Sequence, residues 1–61
     1  MTFILIVHDE IAKDHIGEYE FDTLKEAKEF ALDLITIDER NGKNYSYVVI
    51  DSENNNYNLY N

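Results

Sequence analysis

The chain has 61 residues, and its 13 Asp and Glu stand against only 5 Lys and Arg, a formal net charge of −8. One domain over residues 1–61 is the most this length supports; a chain of about 60 residues buries only roughly 60% of its unfolded surface. The absence of Cys removes disulfides and the usual zinc sites as reinforcement, which leaves oligomerisation or a partner.

Thr2 to His8 reads as a strand rich in β-branched and aromatic residues, closed by Asp9 and Glu10. It is apolar on both sides, with Phe3, Leu5 and Val7 on one and Ile4 and Ile6 on the other, as in a central strand. Its apolar run is far too short to span a bilayer, and no Lys or Arg precedes it as in a secretory signal, so a cytoplasmic location is expected. Ile11 to Gly17 is expected to be a loop, because Lys13, Asp14 and His15 break any period.

Glu18 to Asp22 alternates, with Tyr19 and Phe21 against Glu18, Glu20 and Asp22, which predicts a half-buried strand with an acidic face. Thr23, followed three residues later by Glu26, predicts a reciprocal capping box at the start of a helix over Leu24 to Arg40. Asn41-Gly42 predicts its end, where glycine takes the left-handed conformation. At about 100° per residue, Ile37, Phe30, Leu34, Ala27, Ala31, Leu24 and Ile35 share an arc of about 160°, enough to cover one sheet face. Leu32 falls outside it and is a candidate contact with another chain.

Asn44 to Asp51 predicts a third strand, with Tyr45, Tyr47 and Val49 opposite Ser46, Val48 and Ile50. Ser52 to Asn56 is turn chemistry, and Tyr57 to Tyr60 predicts a short fourth strand in a hairpin with the third. The fold class is therefore α+β: a two-layer ββαββ domain with a four-stranded, mostly antiparallel sheet in the order 2-1-3-4 and one helix on one face. A right-handed crossover is expected.

One helix, about 10 to 12 Å across, shields little more than two strands spaced about 4.8 Å apart. The larger, more aromatic set of Phe3, Leu5, Val7, Tyr45, Tyr47 and Val49 is expected beneath it. Ile4, Ile6, Val48 and Ile50 are then left on an open face that, with Leu32, forms the candidate dimer or partner interface. The candidate acidic binding residues are Asp9, Glu10, Asp14, Glu18, Glu20 and Asp22. Glu18, Glu20 and Asp22 are expected to rim the open face.

Motifs that carry chemistry are few. His8, Asp9, Glu10, Asp14 and His15 are metal-ligand types, but their spacing matches no zinc or facial-triad arrangement, so no metal is assigned. Asp51, Glu53 and Asn55 alternate as in a calcium loop, yet Asn56 stands where the glycine belongs, and a hairpin turn is expected instead. Ser46 and Ser52 lie in no nucleophile elbow, and Gly17 and Gly42 build no phosphate loop. No catalytic residue, cofactor or enzymatic activity is expected. A sequence pI near 4.3 argues against direct nucleic-acid binding and against anionic membranes, since phosphate contacts take clustered Lys and Arg.

The stretch Tyr19-Glu20-Phe21-Asp22-Thr23-Leu24-Lys25-Glu26-Ala27 resembles the strand-to-helix junction of many small ββαββ domains. Asn, Tyr, Ile and Lys, encoded by A/T-rich codons, supply 23 of the 61 residues. Together with the small size and acidity, this is similar to small phage-encoded anti-defence proteins, including anti-CRISPR and anti-restriction inhibitors, several of which imitate the charge of DNA. Three of the five basic residues lie in the helix, which departs from a DNA mimic. The resemblance implies a non-enzymatic inhibitor in the host cytoplasm, docked on a nuclease- or helicase-type host defence protein. The alternative is a small dimeric structural or regulatory module with a cellular protein partner. In either case a homodimer is expected.

Overall fold

The computed structural model describes residues 2–60, the last of them by its backbone alone. Five elements follow in order: β1 (Phe3–Asp9), β2 (Asp14–Phe21), α1 (Leu24–Arg40), β3 (Tyr45–Asp51) and β4 (Asn56–Tyr60). The strands form one sheet in the order β2-β1-β3-β4, antiparallel at every joint. The helix packs against it, completing the α+β ββαββ architecture expected from the residue pattern. The two strands that are apolar on both sides, β1 and β3, hold the centre.

The core forms where one parity of β1 and β3 meets the helix. Leu5 and Val7 of β1 and Tyr47 and Val49 of β3 are buried together with Ala27, Ala31 and Ile35 of α1. The two alanines lie on the sheet side of the helix and let its backbone approach the larger strand residues. Around this centre Phe30 packs against Tyr19 and Phe21 of β2, with ring centroids 4.8 and 5.3 Å apart, and Phe3 faces Tyr57 of β4 at 6.5 Å. The buried Tyr47 hydroxyl donates to Asp38 Oδ2, tying the middle of the sheet to the last turns of the helix.

Both helix ends follow from local chemistry. Thr23 Oγ1 accepts from the Glu26 N–H at 3.2 Å, satisfying one of the orphan amides of the first turn. Glu26 Oε1 turns back to accept from the Thr23 hydroxyl at 3.0 Å, in place of the expected return bond to the Thr23 backbone N–H. At the other end Lys43 N–H donates to Asp38 O at 2.9 Å and Gly42 N–H to Glu39 O at 3.1 Å. With Gly42 at φ 70, this is the six-to-one and five-to-two pairing of a Schellman ending.

Three expectations are corrected. The segment expected to be a loop, Ile11 to Gly17, supplies the first half of β2 from Asp14 onward. His8 pairs with His15 and Val7 with Gly17, so Ile16 is an extra residue that throws the two halves of the strand out of phase. A period-two reading cannot cross that bulge. At its other end β2 stops at Phe21, which leaves Asp22 outside the strand. Ile37, placed by angle on the covered arc, is 53% exposed because it lies at the margin of the arc near the helix end.

Candidate functional site

Strand register decides what the second sheet face carries. Tyr19 and Phe21 point to the helix, so Glu18 and Glu20 take the opposite side. Pairing across the sheet then lines up two rows: Glu20, Ile4, Ile50 and Asn56 in one, Glu18, Ile6, Val48 and Asn58 in the next. The face grades from carboxylates on β2, through four branched aliphatic side chains on β1 and β3, to amides on β4. Ile4, Ile6, Val48 and Ile50 are all half-buried, held by their neighbours in the sheet, with the helix on the far side.

A third row continues the same face with His15, His8 and Ser46. His15 Nε2 lies 3.7 Å from Glu18 Oε1, an exposed contact of small energetic value. His8 and His15 are paired residues across the β1–β2 joint. Among the described residues, no group of three or more His, Cys, Asp or Glu side chains is gathered as a metal site would need.

The six candidate acids do not act as one cluster. Glu18 and Glu20 border the aliphatic rows. Asp9 and Asp14 pair with each other at the far end of the β1–β2 hairpin and, by alternation from Val7, take the helix side. Asp9 is committed to the hairpin turn, where its Oδ1 accepts from the Ile11 and Ala12 N–H groups at 2.9 and 3.0 Å. Glu10 lies in that turn and Asp22 beyond the end of β2, so the expected rim contracts to two carboxylates. Leu32, 61% exposed, lies on the opposite side of the molecule from the open face, beside a groove between α1 and β4.

Asp51, which ends β3 and opens the hairpin turn expected there in place of a calcium loop, organises the β3–β4 turn. Asp51 is buried; its Oδ1 accepts from the Glu53 and Asn55 N–H groups at 2.8 and 3.0 Å. Its Oδ2 accepts from Asn55 Nδ2 at 3.1 Å and the Tyr57 hydroxyl at 3.0 Å. The Asn55 backbone N–H, helped by the Asn55 side chain, the Glu53 N–H and the Tyr57 hydroxyl, holds the Asp51 carboxyl below its ordinary pKa despite desolvation. The same bond pushes the Tyr57 phenol up, since losing its proton would set two anions together. The signal was present in the sequence as an Asx residue opening a turn, with Asn54 at φ 66 completing it.

Among the described residues, no helix is long and apolar enough to cross a membrane. No protein-family model, curated protein or solved structure matches this chain.

Proposed function

We propose that this chain is a non-enzymatic protein-binding inhibitor whose open sheet face docks on a host nuclease- or helicase-type defence protein, as a phage anti-defence protein would. The observation that supports this reading is the pair of rows in which Ile4, Ile6, Val48 and Ile50 stand in register beside Glu18 and Glu20. An aliphatic centre supplies non-directional burial, roughly 25 cal/mol per Å² removed from water. Two carboxylates on one flank select a basic neighbour and orient it, because complementary potentials steer association and suppress wrong partners. A nucleic-acid channel is the basic surface most commonly found on such an enzyme, and occupying it needs no catalytic group on the inhibitor.

The test is capture from a bacterial lysate followed by competition on the purified target. The retained protein is expected to bind DNA, to be displaced by excess duplex DNA and to release the inhibitor as salt rises. The Ile4→Glu/Ile6→Glu variant should lose it. Retention of metabolic enzymes alone, or equal retention by that variant, overturns the reading. Binding that is indifferent to both DNA and salt supports the alternative of a structural or regulatory module.

A further inference from the structure

The two edges of the sheet are built differently, and the difference points to a second binding surface. The β2 edge carries Asp14, Glu18 and Glu20, and the bulge at Ile16 interrupts it, both of which discourage another strand from pairing there. The β4 edge has a bulge of its own at Leu59, since Val48 pairs with Asn58 and Tyr47 with Tyr60, but it lies beyond Asn56 to Asn58. The strand carries no such charges: Asn56 to Tyr60 read Asn-Tyr-Asn-Leu-Tyr, without a charged residue or proline. Its ladder with β3 opens with Asp51 N–H donating to Asn55 O. By antiparallel alternation Tyr57 then bonds inward to Val49, and Asn56 and Asn58 turn their backbone N–H and C=O groups outward. The side chains of both are exposed.

A second observation lies beside this edge. Between α1 and β4 runs a groove of about 270 Å³ lined by Ala31, Leu32, Ile35 and Leu59, with Lys28 and Asn58 at its margins. Leu32 projects there with 61% of its surface exposed. An open strand edge with an apolar groove next to it accepts a strand that brings its own apolar side chains.

We propose that β4 pairs antiparallel with β4 of a second copy of this chain, joining two sheets into one of eight strands and closing the groove over Leu32 and Leu59. Asn56 of one copy stands opposite Asn58 of the other, the arrangement that uses all the outward backbone groups of both residues on both strands. Charge selects a second copy over a basic partner, because the strand itself offers no carboxylate to attract one. It also permits the approach despite a net charge of −8 per chain. Six of the 13 acids lie in residues 9–22, at and around the opposite edge. In the joined sheet the two β2 strands are seven spacings apart, about 34 Å, against a screening length of about 8 Å at physiological ionic strength.

The experiment measures solution mass by light scattering over a wide concentration range, with amide hydrogen exchange, on the wild-type chain and three variants. Wild type should rise with concentration from 7.2 kDa to twice that mass. Exchange at the Asn56 and Asn58 amides should slow in step. Asn56→Lys/Asn58→Lys sets lysines opposite lysines across the joint and should remain at the single-chain mass. Asn58→Pro, which removes an outward N–H that β3 does not use, should do the same, with circular dichroism confirming that the helix persists. Ile4→Glu/Ile6→Glu, which disables the docking face, should leave the dimer intact, so the two readings fail separately. A wild-type chain that stays at single-chain mass throughout overturns the proposal. So does a dimer dispersed by Ile4→Glu/Ile6→Glu but untouched by the edge variants.

Discussion

Leu5 and Ile6 are neighbours in β1, similar in size and chemistry, yet one has no exposed surface and the other is only half-buried. The same holds in β3 for Val49 against Val48 and Ile50. Hydrophobicity does not separate the two faces of this sheet; what separates them is that the described residues form one helix, and α1 lies on one side only. The covered face therefore carries stability, and the uncovered face is free to meet another molecule.

Truncation at matched positions tests that division most strongly. Leu5→Ala removes a fully buried side chain from a packed centre and should cost about 2 to 5 kcal/mol. That is a large share of what a chain of this size has to lose, and urea denaturation followed by circular dichroism should show the variant largely unfolded. Ile6→Ala, one residue away, should cost about 1 kcal/mol in the same measurement at low concentration, because the site keeps only its sheet neighbours. Equal losses at the two positions would mean that the open face is covered in solution.

A smaller effect distinguishes the turn from either face. Asp51 has a depressed folded-state pKa, so the stability it contributes is present above the ordinary carboxylate value of about 3.9 and is lost as pH falls through the lower folded value. Tyr57 works in the opposite sense: its raised pKa gives stability that is present below about 10 and lost as pH rises beyond it. Thermal denaturation across pH should show both limbs in the wild-type chain. Asp51→Asn should flatten the acid limb through its loss of charge, and Tyr57→Phe should flatten the alkaline one. Smallest of all, Ile37→Lys should change the unfolding free energy measured in urea by no more than about 0.5 kcal/mol, since Ile37 is exposed and a cation suits the last turns of a helix.

Where the chemistry is local, residue order was enough to read it. The capping Thr23, the glycine ending at Gly42, the two-sided strands β1 and β3 and the strand order all follow from patterns within a few residues of each other. So does the prediction that the set containing Leu5, Val7, Tyr47 and Val49 lies beneath the helix. Reading failed at Asp14 to Gly17, where the bulge at Ile16 reverses the alternation that identifies a strand and the pairing partner lies across a turn. It also placed Asp22 on the acidic rim and Asp9 in the wider acidic binding set, whereas β2 ends before Asp22 and turn hydrogen bonds hold Asp9.

The sequence by itself determined the elements, their order in the sheet and the overall negative charge, because these depend on periodicity, caps and composition. Only the tertiary structure decided that Asp22 drops out of the acidic rim, that the Asp51 carboxylate holds its turn through four hydrogen bonds, and that one sheet edge is charged while the other is bare. Those outcomes depend on register. A shift of one residue moves every side chain of a strand to the other face, and the register here is fixed by pairing across turns and by bulges at Ile16 and Leu59 that no local pattern records.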